Sequence, residues 1–465
     1  MDQATGLQQA TDPTFQQLSE EVVHEMERLH VPGVAIGVAH ADAEYMAGFG
    51  VTNVDHPLPV DADTLFQIGS TTKTVTGTVA MRLVEAGKLD LDAPIRTYLP
   101  QLRLASEEAA AHVTLRHLFT HTGGWVGDYF DDLGNGDDAL AKITERMADL
   151  PQLTPLGSIW TYNNSGFYLA GRVIEKVTGK PYETVVQELV FDPLDMKMSF
   201  FFAADAITYR VAAGHHSSFQ QDEPNVQIAH PWALARTAHP AGGIISTVRD
   251  QLRYARFQMD DGEQGATTRL LTLETMALMQ SPLVPAANGE FMGITWFVHE
   301  TAGTRILRHG GATNGQMSAF VMVPSRHFAI TVLTNANRGD ELHQKITRRA
   351  LELYMGISET PPTTLDLPTE QLVPYTGCYD SAMSMYELSL RDGGLIAQAK
   401  YKGGFPDKDS PAPTAPTAFR LAVCGEDQVI ALDPPFQDVR GEFLRDPDGR
   451  IAWFRIGGRV HARQG

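Results

Sequence analysis

Cysteine is nearly absent from this chain: Cys378 and Cys424 are the only two in 465 residues. Two such residues build no disulfide framework, and their spacing gives no C-x-x-C metal or redox signature. Basic residues are also short. Against 56 Asp and Glu stand 37 Lys and Arg, a formal net charge of −19, so nucleic acid and anionic membrane surfaces, both polyanionic, are excluded as expected partners. No apolar run approaches the roughly 20 residues that span a bilayer. The opening stretch, MDQATGLQQATDPTFQQ, has neither the basic nor the apolar region of a signal peptide. A cytoplasmic protein is expected, or the processed form of an exported one. There is no G-x-S-x-G elbow, which sets aside a Ser-His-Asp α/β-hydrolase. His117 and His121 are four apart, as zinc ligands on a helix are, but no glutamate completes H-E-x-x-H. Neither a metal nor a cofactor is expected.

What remains is an ordinary globular composition, 43% hydrophobic and 20% charged, in a chain long enough for two domains. Phe15, Leu18, Val22, Met26 and Leu29 recur at helical spacing until Pro32-Gly33. The strand-like runs GVAIGVAH and AEYMAGFG follow. The middle is mostly helical, and strands return in TRILRHG, QMSAFVMVP and FAITVLTNA, which read as an antiparallel meander. A last helix carries Leu342, Ile346, Ala350 and Tyr354. Helices inserted between strands from both ends of a region predict an α+β domain, an antiparallel sheet flanked by helices with a helical lobe beside it, over residues 1–358. A Pro/Thr-rich linker is read at 359–369. Residues 370–465 then show short strands with the turns RDGG, GEDQ, DPDG and IGG, the pattern of a small antiparallel β-barrel or sandwich without helices. Its insert FPDKDSPAPTAPT reads as a mobile loop, and His215-His216 as an exposed loop pair.

The stretch TLFQIGSTTKTVTGTVAMRLVEAG, Thr64 to Gly87, turns from strand to helix at Gly69. Ser70 and Lys73 in its first turn are three apart and share a face, so the amine reaches the hydroxyl. The positive end of the helix disfavours a further cation and favours an alkoxide or oxyanion. Both effects suit a nucleophile with its base. The competing reading, a capping serine and a solvated lysine, is defeated only by partners elsewhere. WTYNNSGFYLAGRVIEKVTGKPY supplies Tyr162 and Asn164 just before a helix, where a phenol and an amide can point into one cleft. RHGGATNGQMSAFVMVP supplies His309-Gly310-Gly311 on an edge-like strand, whose glycines admit close approach of a ligand.

In this order and context the three pieces resemble the serine β-lactamase and penicillin-binding-protein superfamily, in its class C-like branch of esterases and D-amino-acid peptidases. HLFTHTGG at His117 and AGGIISTVRD at Ala241 carry the resemblance further, and it covers about Thr14 to Ile357. The segments YTGCYD and WFRIGGRVHAR resemble the lipocalin-like C-terminal domain attached to some of these hydrolases, which lies near the active-site mouth. The resemblance implies that Ser70 forms an acyl-enzyme with Lys73 or a Tyr162 phenolate as base. It implies that Tyr162 protonates the leaving group, that His309 bonds Tyr162 or the substrate's carboxyl end, and that Asn164 orients Lys73 and the substrate amide. The oxyanion hole is expected from the N–H groups of Ser70 and Ala312. His117 and His121 are implied to be structural.

One departure is informative. Where β-lactamases usually have Lys-Thr-Gly this chain has His309-Gly310-Gly311, and a mostly neutral histidine recognises the β-lactam carboxylate poorly. Esterases and D-peptidases of the branch commonly use the histidine form. Candidate substrate-binding residues are Gly310, Gly311, Trp125 and Tyr129, with Arg455 and Arg459 set against the ordinary reading of surface arginine. The expected partner is a small-molecule or peptide substrate; oligomeric state is not legible. Hydrolysis of esters or amides, including D-configured peptides, leads. The alternatives are a penicillin-binding-protein-type thioesterase that releases and cyclises non-ribosomal peptides, and a non-enzymatic binder with a degenerate site.

Overall fold

The computed structural model describes residues 12–217, 225–260, 269–301, 303–358, 362–434 and 436–465. Residues 1–11, on which the expectation about a signal peptide falls, and positions 359–361 of the expected linker lie outside these.

Eight strands form one antiparallel sheet whose order runs Ala43–Gly50, Gly33–His40, Phe328–Thr334, Met317–Val323, Thr304–Ala312, Phe297–Thr301, Phe291–Met292 and Val284–Pro285. The meander read from sequence is thus joined by the N-terminal hairpin, with Ile36 opposite Val332. Side chains alternate between faces with the period of two that strands impose. Val34, Ile36, Val38, Val321, Val323, Ile330 and Val332 pack one way, under the helices Pro13–Leu29 and Gly339–Ala350. Ala35, Ala39, Leu307, Phe320, Met322, Ala329 and Leu333 pack the other way, into the core shared with the helical lobe. Covering both faces explains why these strands read as nearly unbroken apolar runs. Each such buried Val, Leu or Ile side chain contributes about 1.5–3 kcal/mol.

The helix Val248–Gln258 lies on this second face, and the lobe beyond it packs the helix Thr72–Glu85 against the helix Ser165–Thr178 within the same core. Gly179, at φ 70°, closes the latter in the left-handed conformation a helix stop requires. Beyond Thr369–Leu372, a short helix absent from the sequence reading, eight strands between Gly377 and Arg463 close into a barrel. All four turn signals read from the sequence join neighbouring barrel strands. Tyr379, Leu388, Leu395, Phe443 and Phe454 fill its interior. The Pro/Thr insert has no regular structure, and its Phe405 meets Phe130 edge to face, ring centres 5.0 Å apart. His215 corrects the expectation of an exposed pair: it is fully buried on a short strand, with Nδ1 2.7 Å from the Asn335 carbonyl oxygen, while His216 is exposed and bonds Asn314. No helix among the described residues is long and apolar enough to cross a membrane.

Candidate active site

The chain passes from the strand Phe66–Gln67 into a tight 3₁₀ turn, Gly69–Thr71, before the α-helix proper begins at Thr72. Hydrogen bonds hold this turn from both sides. Ser318 Oγ donates to the Ile68 carbonyl at 2.7 Å and meets Thr71 Oγ1 at 2.9 Å; across the turn Ile68 N–H donates to the Ile244 carbonyl at 3.0 Å. Gly69 is at φ 50°, and a Cβ there would meet the backbone of Ala312 at 2.7–3.0 Å. On the opposite side a Cβ on Gly311 would overlap the Ile68 carbonyl oxygen and lie 2.8 Å from the Ser70 nitrogen. Two side-chain-free positions therefore let the strand edge and the turn touch, which brings the N–H groups of Ser70 and Ala312 to one place. Ser70 is half-buried and Lys73 fully buried.

Lys73 Nζ lies 2.9 Å from Ser70 Oγ and donates to the Ala241 carbonyl at 2.6 Å. That carbonyl belongs to the AGGIIS segment, so the motif has a physical role: it supplies the acceptor that anchors the amine. Tyr162 and Phe167 rings lie 5.0 and 5.3 Å from the amine. Burial drives the Lys73 pKa well below the ordinary lysine value, and the Arg459 cation adds to the effect while Asp128 opposes it. Burial pushes the Tyr162 phenol up, partly offset by Ser70 and by Arg459. His121, at φ 56°, stacks on Tyr162 at 4.4 Å and accepts the Asn163 N–H at 3.0 Å. His117 instead closes the capping box of the helix Leu115–Phe119. His121 thus shapes the backbone beneath Tyr162, and His117 that of the helix before it.

His309 is buried, its Nδ1 2.7 Å from the Gly310 carbonyl oxygen, which makes that nitrogen the donor and leaves Nε2 as an acceptor with no partner among the described residues. Burial, reinforced by Lys73, lowers its pKa to about 3. It is a neutral ring at physiological pH and cannot replace an ammonium. Its ring centre is 6.3 Å from that of Tyr162. Asn164 donates through Nδ2 to Asp128 Oδ1 at 2.8 Å, whereas the two acceptors bonded to Lys73 are Ser70 and Ala241.

Trp125 corrects its expected role as a pocket wall. It is 1% exposed and its indole N–H donates to Ser165 Oγ at 3.0 Å, a core position. Tyr129 keeps partial exposure, with its hydroxyl on Asp131 at 3.2 Å. Arg455 is neither a surface nor a cleft cation: it is buried, ion-paired with Glu442, and donates to the carbonyls of Trp160 at 3.0 Å and Ala286 at 3.2 Å. It ties the barrel to the loop that precedes Tyr162. Arg459 does reach the site, its guanidinium carbon 4.7 Å from the Tyr162 ring centre and its Nε 3.0 Å from Asp128. Asp128 was missed in the sequence because a single aspartate between Gly127 and Tyr129 carries no spacing signal.

The beta-lactamase family model matches residues 18–355. The chain belongs to that family. Penicillin-binding protein 4 of Amycolatopsis lactamdurans is 32% identical over 363 residues, 76% of this chain and 93% of that protein. Unguisins hydrolase ungD of Aspergillus violaceofuscus is 23% identical over 441 residues, 89% of this chain and 75% of that protein. Among solved structures, SurE superposes with a TM-score of 0.76 at 23% identity, covering 98% of this chain and all of that one. That likeness extends the shared fold through the barrel, beyond the reach of the family model. Members of the beta-lactamase family include serine hydrolases, and the arrangement around Ser70 is in keeping with that chemistry.

Proposed function

We propose that this protein hydrolyses ester or amide bonds through an acyl-enzyme on Ser70, with D-amino-acid-containing peptides as its substrate class. The observation that carries the reading is the buried Lys73 amine 2.9 Å from Ser70 Oγ, bonded to a backbone carbonyl and, among the described residues, to no carboxylate. A lysine so placed gives up its proton readily, and Tyr162 in the same pocket holds its own more tightly. Environments that push two groups apart assign their roles: Lys73 is the base and Tyr162 the acid.

Lys73 takes the Ser70 proton as Oγ bonds to the substrate carbonyl carbon, and the oxyanion rests on the Ser70 and Ala312 N–H groups. Tyr162 gives its proton to the departing amine or alcohol as that bond breaks. Water then attacks the acyl-enzyme and returns a proton to the Tyr162 phenolate, while the Lys73 ammonium reprotonates Ser70 Oγ. An amine in place of water gives transfer or cyclisation by the same steps. The neutral His309 supports peptide or ester substrates over β-lactams, whose carboxylate is best met by a cation. The D preference rests on the resemblance of the His-Gly-Gly form to D-peptidases.

The test is the initial rate on a D-alanyl peptide amide, its L counterpart and a short-chain p-nitrophenyl ester, with Ser70→Ala as control and the products identified by mass. Turnover of the D-amide, lost in the variant, is expected. Turnover of the ester alone would withdraw the peptide substrate class. Absence of all three, together with no fluorophosphonate adduct on Ser70, would favour a binding protein.

A further inference from the structure

Asp128 lies outside the S-x-x-K, Y-x-N and H-G-G motifs, yet it touches two residues of the site from a side chain only 10% exposed. Its Oδ1 accepts Asn164 Nδ2 at 2.8 Å and Arg459 Nη2 at 3.3 Å, and its Oδ2 accepts Arg459 Nε at 3.0 Å. Burial alone would raise the Asp128 pKa, but Arg459 and the Asn164 amide bring it below the ordinary carboxylate value. An ionised carboxylate only accepts, so Asp128 dictates which end of the Asn164 amide faces it and turns the carbonyl end elsewhere. Arg459 comes from the barrel, 331 residues along the chain. The hairpin that carries it is pinned to the chain at Trp160, Thr161 and Tyr162. Tyr162 N–H donates to the Gly458 carbonyl at 2.8 Å, Val460 N–H donates to Thr161 Oγ1 at 3.2 Å, and Arg455 donates to the Trp160 carbonyl at 3.0 Å.

We propose that Asp128 and Arg459 are a positioning pair for the Ser70 site, in which Asp128 orients the Asn164 amide and the barrel's arginine cancels the aspartate's charge beside Lys73 and Tyr162. The proposal rests on the acyl-enzyme reading for its consequence in turnover, but not for its electrostatics. Other titratable groups face the same space: His309 from its strand, His121 from beneath Tyr162, Tyr168 from the helix after Asn164, and Tyr386, which faces Arg459 from the barrel. Burial holds both histidines neutral and the phenols protonated. The charges left to act on Lys73 and Tyr162 are therefore those of the pair itself, and they act in opposite senses.

That opposition supplies a test that simple loosening of the structure does not mimic. In Asp128→Asn the arginine is uncompensated and the Lys73 proton is lost more easily, so the acid limb of kcat/KM against pH moves down by about one unit. In Arg459→Gln the aspartate is uncompensated and the limb moves up by a similar amount. The double variant returns to within about a third of a unit of wild type, and Arg459→Lys stays nearer wild type than Arg459→Gln. At its own optimum Asp128→Asn also loses about tenfold in kcat, as expected for a lost charge-assisted hydrogen bond. The Lys73 titration is read separately in the Ser70→Ala background, by NMR of ¹³Cε-labelled lysine, where turnover plays no part. Opposite shifts there with no turnover in the wild type would sink the acyl-enzyme reading and leave the pair standing. Shifts of the same sign, or none, in both variants would overturn the pair whatever the wild type does.

Discussion

Gly310 and Gly311 are neighbours on one strand, and the structure predicts opposite fates for them on substitution by alanine. A Cβ at Gly310 meets a single atom, the Ser318 carbonyl oxygen, at 3.3 Å. The same Cβ at Gly311 overlaps the Ile68 carbonyl oxygen and falls 2.6 Å from Ser318 Oγ and 2.8 Å from the Ser70 nitrogen. Two of those three neighbours are backbone of the nucleophile turn, which is itself held by Ser318 and Ile244 and has little freedom to yield. Relief must come from separating strand and turn by roughly half an ångström or more, the scale at which such sites lose their geometry. Separation moves the Ala312 N–H away from the Ser70 N–H. Gly311→Ala should therefore lose about a hundredfold to a thousandfold in kcat, the cost of one oxyanion donor, and about 1–3 kcal/mol of stability from overpacking. Gly310→Ala should stay within about threefold of wild type, because its contact is relieved by a small adjustment. The assay is kcat/KM on the ester substrate beside urea unfolding of each variant. Equal losses in both variants, or an active Gly311→Ala, would refute the claim that the missing side chain at Gly311 is what joins strand to nucleophile.

Lys73→Met should cost about 10²–10⁴ in kcat, as removal of a general base does, while raising Tm by about 2–4 °C for each kcal/mol of relieved desolvation; Lys73 is fully buried, and among the described residues no carboxylate is bonded to it. A Tm that falls would mean the amine stabilises the fold, contrary to this account. Acid sensitivity should be set largely by His121, His309, His343 and His461: burial lowers the pKa of each, the last three to about 3, 3 and 4. The unfolded chain binds their protons below pH ~6.5 and the folded chain does not, so stability is lost as pH falls through that window, at about 1.4 kcal/mol per unit for each ring. Urea unfolding at pH 7, 6 and 5 checks this, and His343→Gln should flatten the slope by about a quarter.

The parts legible in the sequence are those where one local pattern fixes one contact. Ser70 and Lys73 are three apart on a helical turn, and helical geometry alone carries the amine to the hydroxyl. The strands at 33–40, 317–323 and 328–334 announced themselves because both of their faces are covered, which leaves no polar alternation. The barrel hairpins were marked by their turns. What escaped depends on residues far apart in the chain. Nothing local distinguishes Arg455, which buries itself against Glu442 and two carbonyls, from Arg459, which lies over Tyr162. Both sit on one hairpin and both read as surface arginine. Only the docking of the barrel against residues 160–162 separates them: the strand partner inside the interface is consumed by structure, and the one at its rim keeps 39% of its side chain exposed beside the site. Trp125 failed for the converse reason. Its position after HTGG suggested a cleft, but a large indole has its best solution where Ser165 takes its N–H and the lobe takes its ring. The short polar side chain three residues on, Asp128, is what the loop delivers to the active site instead.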